Sequence, residues 1–167
     1  MPRHTFKVLL FLSIIFSFAG VQAMHKGKKK QKTASAAVTN KSGLKSVLMG
    51  RSACFGTCPV YSVEVFENGM VRYIGKSHVE RVGTYEKMGS KNDAVNLFND
   101  FAVIRPDTLH RIYKQKIADL PGFYFFISYA DSVHKVLNAD AGPEFLRDWA
   151  KRFDTFGNVD DSWKKVE

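Results

Sequence analysis

The sequence predicts an α+β domain in which an antiparallel sheet of about five to six strands carries helices on one face. Three observations point there. Residues 60–66 alternate with Tyr61, Val63 and Val65 on one side, which is the period of a half-buried strand. Two segments, around 94–101 and 143–156, instead space their apolar residues for amphipathic helices. The order is strands, helix, two strands, helix, which lacks the regular βαβ alternation of a parallel sheet. A chain of 167 residues with 45% hydrophobic and 13% aromatic content has apolar matter for one core, so a second domain is not expected.

Taken in order, Ser46 to Met49 is the first strand, and Val60 to Phe66 the second. Glu67-Asn68-Gly69 turns the chain, and the loop length follows from the pairing it creates, because a one-residue slip moves every side chain to the other face. A two-residue loop would oppose Val65 with Arg72 and Glu64 with Tyr73. A three-residue loop with Gly69 left-handed opposes Val65 with Val71, Val63 with Tyr73, and Glu64 with Arg72. The second option matches like with like and pairs opposite charges, so it is preferred.

A further strand is expected over about Val79 to Tyr85, completing a meander. Ser90-Lys91-Asn92-Asp93 has the form of a capping box and opens a helix with Ala94, Leu97, Phe98 and Phe101 on its inner face; Pro106 ends it. A short irregular piece at 108–113 follows, then a break at Asp119-Leu120-Pro121-Gly122. Phe123 to Tyr129 and Val133 to Asn138 form a hairpin around Ala130-Asp131-Ser132. The closing helix runs from Pro143 to Phe156, with Leu146, Trp149, Ala150 and Phe153 inward, Pro143 in its first turn and Gly157 capping its end.

Charge is distributed very unevenly. Of the net +9, residues 1–45 hold nine basic side chains and no acidic one, while the remainder carries 16 of each sign. The body is therefore neutral, and the high net charge gives no reason to expect a nucleic-acid-binding face. Residues 1–23 read as a cleavable signal peptide: Arg3, His4 and Lys7, an apolar run from Val8 to Ala19, and Val21-Gln22-Ala23 ahead of cleavage after Ala23. The run is shorter than the roughly 20 residues of a spanning helix, so no transmembrane anchor is expected after cleavage. This predicts a periplasmic or secreted product.

Residues 24–45 read as a basic, disordered linker. Its lysines Lys26, Lys28, Lys29, Lys30 and Lys32 are either a solvated spacer or a foot on an envelope protein or anionic envelope polymer. No aromatic residue is interleaved with them to stack on bases.

Cys54 and Cys58 are the only cysteines, so one intramolecular disulfide is available. Outside the cytosol the oxidised pair is the expected state, and closing so small a ring stabilises by about 2 kcal/mol on the chain-entropy estimate. Gly56 lets the ring turn tightly and Pro59 stiffens its exit. A redox role is the alternative, with Arg51 as a cation that would favour a thiolate. Against it stand the three-residue spacing and the strand that follows, where thiol-redox sites use a helix N-terminus. His78, His110 and His134 have no ligand spacing, so no metal or other cofactor is expected. The pairs Asp160/Asp161 and Glu144/Asp148 read as solvated surface.

The stretch Arg51-Ser52-Ala53-Cys54-Phe55-Gly56-Thr57-Cys58-Pro59-Val60-Tyr61 resembles the signature of a bacterial family, domain-of-unknown-function family 6438. The likeness extends through Glu67-Asn68-Gly69, Val71-Arg72-Tyr73-Ile74-Gly75, Asp119-Leu120-Pro121 and Arg152-Phe153-Asp154, covering about residues 46–165. It implies a small exported or lipid-anchored protein without an assigned activity; no cysteine near residue 23 supports the lipid anchor here. Signature residues carried over are Arg51, Phe55, Gly56, Pro59 and Tyr61. The run Phe123-Tyr124-Phe125-Phe126 is more aromatic than the Thr and Val expected of the family. It is read first as core covered on both faces; if one face is open, Tyr124 and Phe126 become a candidate partner surface.

Overall fold

The computed structural model describes residues 38–114 and 120–167. Seven strands, β1 (Ser46–Arg51), β2 (Val60–Phe66), β3 (Met70–Ser77), β4 (Gly83–Met88), β5 (Phe123–Ser128), β6 (Val133–Val136) and β7 (Lys164–Lys165), join two helices, α1 (Lys91–Val103) and α2 (Phe145–Phe156). The strands form one sheet in the order β6-β5-β1-β2-β3-β4-β7, antiparallel at every pairing. Single 3-10 turns occupy Pro106–Thr108 and Ala139–Ala141. The α+β expectation holds, with one strand more than the upper count. β7 is two residues long, too short for any alternation to announce it.

The three-residue hairpin is present: Val65 opposes Val71, Glu64 opposes Arg72 and Val63 opposes Tyr73. Gly69 adopts φ +93°, and a Cβ there would come within 2.7 Å of the Lys91 nitrogen. The turn therefore requires glycine both for its handedness and for the start of α1 beside it. The fourth strand lies later than expected, at Gly83–Met88 instead of 79–85. Its register is set by Arg72 against Glu86 and Tyr73 against Tyr85, while His78, at φ +53°, turns the 79–82 segment into the connection.

α1 begins at Ser90, whose Oγ accepts from the Asp93 N–H at 3.2 Å. It buries Ala94, Val95, Leu97, Phe98 and Phe101. It stops at Val103, and Arg105 sits at φ +53°, since a residue before proline is driven out of the right-handed helical region. α2 starts two residues after Pro143, with the Leu146 N–H donating to the Pro143 carbonyl at 3.0 Å. Its inner stripe is Leu146, Trp149, Ala150 and Phe153. Phe101 meets Trp149 at 4.8 Å and Phe125 at 5.7 Å between ring centroids. Both helices thus cover the sheet face carrying Val47, Met49, Val63, Val65, Phe125 and Ile127, all fully buried. Each such side chain contributes about 1.5–3 kcal/mol by leaving water.

Among the described residues the other face bears no helix. Along β5, Phe123, Phe125 and Ile127 are buried while Tyr124, Phe126 and Ser128 are half-exposed, which corrects the reading of the aromatic run as core on both faces. Residues 38–45, expected as the end of a linker, lie on the domain: Leu44 is fully buried, and the Lys41 N–H donates to Asn99 Oδ1 at 2.9 Å.

Candidate functional site

Three parts of the chain meet at one end of the sheet. Arg51 closes β1, Tyr61 lies directly opposite it in β2, and Asp154 occupies the last turn of α2. Arg51 Nε donates to Asp154 Oδ1 at 3.2 Å and to Tyr61 Oη at 3.0 Å. Arg51 also donates through Nη2 to Asp154 Oδ2, completing a two-pronged guanidinium-carboxylate pair. Tyr61 Oη donates to Asp154 Oδ1 at 2.6 Å. The carboxylate raises the Arg51 pKa above its usual value. Burial first, then the bond to Asp154, pushes the Tyr61 phenol up to about 12.

Asp154 is the member that the sequence reading did not single out, although it stands within the matching Arg152-Phe153-Asp154. A signal existed. A carboxylate in the last turn of a helix opposes the macrodipole, so it calls for a cation; Arg51 supplies it.

Between Arg51 and Tyr61 the chain makes the cysteine ring. Cys54 and Cys58 are disulfide-bonded with Cα atoms 5.8 Å apart. Gly56 sits at φ +151°, and its N–H donates to the Cys54 carbonyl at 2.9 Å. The approach to the ring is tied to the residue just before β5, with the Ser52 N–H donating to Gly122 O at 2.9 Å. At the tip, Phe55 is 93% exposed, a large apolar side chain held outward by a closed ring.

Pro59, just beyond the ring, forms one wall of a cleft of about 520 Å³. Tyr61 and Tyr73, stacked at 5.6 Å, line it together with His78, Glu80, Asp154 from α2 and Asn158 just past its end. Burial raises the Tyr73 phenol as well. The cleft is open to solvent and combines aromatic surface with a few polar groups, a composition suited to contact with a partner's surface or an extended peptide.

The remaining candidates lie elsewhere. Tyr124 opposes Gly50 and lies on it so closely that a Cβ at residue 50 would meet the ring at 2.2 Å. Phe126 is beside it at 5.1 Å, with Lys135 Nζ 5.2 Å above its ring. This pair lies on the face of the sheet opposite Phe123, Phe125 and Ile127. Lys26, Lys28, Lys29, Lys30 and Lys32, the expected cleavage point after Ala23, and Asp119 fall outside the described residues. His134 bonds to Leu109 O at 3.1 Å, and His110 packs edge-on to Tyr113. Among the described residues no three of His, Cys, Asp and Glu are grouped to hold a metal ion, and no helix is long and apolar enough to cross a membrane. Asp148, Asp160 and Asp161 make surface ion pairs with Lys151, Lys87 and Arg81.

Comparison with curated proteins finds no match. Comparison with protein families finds one over residues 45–157, a span that contains the cysteine ring, Arg51, Tyr61 and Asp154. The chain belongs to the family described as Domain of unknown function (DUF6438).

Proposed function

We propose that this chain is an exported, non-catalytic binding module, in which a structural disulfide holds a recognition loop beside the Pro59-Tyr61-Tyr73 cleft. The observation that carries the reading is the engagement of Arg51. Its guanidinium is engaged by Asp154 and Tyr61, so its charge is compensated by a carboxylate and favours a thiolate less than a free cation would. The ring leads into a strand, without a helix dipole to lower a thiol pKa. The closed ring restrains the backbone that carries Phe55, which lowers the entropy cost of binding there. The signal-like residues 1–23 support export, with periplasmic or secreted placement.

Intact mass of the native protein, alkylated without unfolding before and after graded reduction, tests this. A chain starting at Met24, short by two hydrogens and refractory to alkylation until strong reductant or denaturant is added, supports export and a structural disulfide. Ready alkylation at a mild poise sinks the structural reading and makes Cys54 and Cys58 a thiol-disulfide exchange site. A chain retaining residues 1–23 in the native host sinks the cleavage. For the binding role, Phe55→Ala leaves the melting temperature unchanged and weakens pull-down of the native partner; an unchanged pull-down removes Phe55 from the interface.

A further inference from the structure

We propose that the outer edge of β4 is a strand-addition site, filled in cis by residues 158–167, and that the partner it serves is an extended peptide bringing an aromatic side chain to the seat now held by Trp163. The site adjoins the cysteine-ring cleft, since Asn158 at the start of the segment lines both, but the edge pairing does not depend on the function proposed for the cleft.

The backbone contacts are those of an added strand. Tyr85 opposes Lys165 and Glu86 opposes Lys164. The ladder then continues past β7, with the Thr84 N–H donating to Glu167 O and the Val166 N–H to Thr84 O, both at 2.9 Å. Such main-chain bonds accept almost any sequence, so specificity falls to side-chain seats. Here that seat is the one of Trp163, which is 9% exposed and belongs to the core cluster.

The present occupant fits its seat imperfectly. Among the described residues the buried Trp163 Nε1–H meets no hydrogen-bond acceptor, a cost that an aromatic ring without a donor avoids. A partly open hollow of about 210 Å³ lies beside the indole, lined by Val71, Lys87, Thr155 and Phe156 among others, and gives a larger side chain room to extend. Val159 also packs against the core and Lys87 Nζ stands 6.0 Å from the Trp163 ring; the ion pairs of the segment are at the surface. Arg81 meets Asp161 at 2.9 Å, but the aspartate is 95% exposed; Lys87 lies 3.8 Å from Asp160, itself 62% exposed. Exposed pairs of this kind hold weakly and are screened by salt. Lys165 Nζ stands 5.9 Å above the Tyr85 ring, at the outer limit of a cation-π contact.

The segment stays in place because it is tethered, which gives it a high effective concentration at the edge. The family match ends at residue 157, so β4 lies within the family span and the segment covering it lies beyond. A competing peptide needs Phe, or another aromatic without a donor, in place of Trp163, then extended backbone with a basic residue over Tyr85.

Two measurements on the full chain test this. In native-state hydrogen exchange, the Thr84 and Val166 amides should exchange at least about a hundredfold faster than those of Val63 and Val65, through an opening insensitive to low denaturant. Exchange of both sets together, by global unfolding, overturns the proposal. In the second, a fluorescein-labelled peptide of residues 158–167, and its W163F form, are titrated into the wild-type chain and into Trp163→Ala. The expected result is binding to the variant at least about tenfold tighter than to wild type, with the W163F peptide the tighter of the two. Absence of peptide binding to the opened edge overturns it. If Trp163→Ala does not fold, the pair Asp160→Asn and Asp161→Asn loosens the segment from the surface and takes its place in the titration.

Discussion

Arg51 and Asp154, 103 positions apart in the chain, are joined so that one carboxylate holds the end of β1 and the hydroxyl of Tyr61 at once. The pair is only about a quarter exposed on either side. Its attraction is therefore less screened than that of the surface pairs, and losing one partner leaves a half-buried charge unmatched.

Asp154→Asn keeps the volume and removes the charge. The expected loss is about 1–3 kcal/mol of unfolding free energy in urea. Adding Arg51→Met should restore part of it, and purely additive single and double variants would show that the two side chains are not energetically coupled.

Alkaline stability follows from Tyr61. Its folded pKa, about 12, lies above the ordinary tyrosine value near 10. The contribution is thus fully present below pH 10 and lost as pH rises toward 12, because the unfolded chain releases the phenolic proton first. Spectrophotometric titration should find one tyrosine ionising near 12 in the wild type. That late titration should be absent in Tyr61→Phe, and stability should then fall less steeply over the same interval.

Gly157 ends α2 with φ −85°, so it is not there to supply a left-handed turn. A Cβ at this position would stand 2.3 Å from Val63 Cγ2, a fully buried side chain. Gly157→Ala is expected to cost about 1–3 kcal/mol through overpacking. Val63→Ala in the same chain should recover part of that cost; no recovery would place the strain elsewhere.

Replacing both Cys54 and Cys58 by Ser should lower unfolding free energy by about 2 kcal/mol, the entropy of so small a loop. The far-ultraviolet circular dichroism should be unchanged, because the ring lies outside all seven strands. Loss of the sheet signal would mean that the ring is required for folding itself.

The parts that were legible in the sequence are those governed by local pattern. The β2-β3 register followed from pairing Val65 with Val71 and Glu64 with Arg72, and the α2 stripe from the spacing of Leu146, Trp149 and Phe153. The fourth strand was misplaced because Val79 and Val82 resemble strand residues, whereas the partners that fix the register are Arg72 and Tyr73 on the neighbouring strand. Leu44 showed no periodicity with its polar neighbours, yet it enters the core. At the site, Arg51 and Tyr61 were visible in the cysteine motif. Asp154 was not, because its role depends on a contact made across most of the domain.

The position of β1 has a consequence for the order of folding. It is the first strand among the described residues and sits near the middle of the sheet, between β2, its neighbour in sequence, and β5, which follows some 70 residues later with Gly50 opposite Tyr124. A nascent chain can close the β1-to-β4 meander by local contacts, but β1 then presents one unpaired edge until Phe123–Ser128 arrives. Non-local closure of this kind slows folding. Chains truncated before Phe123 keep that edge open and become templates for intermolecular pairing.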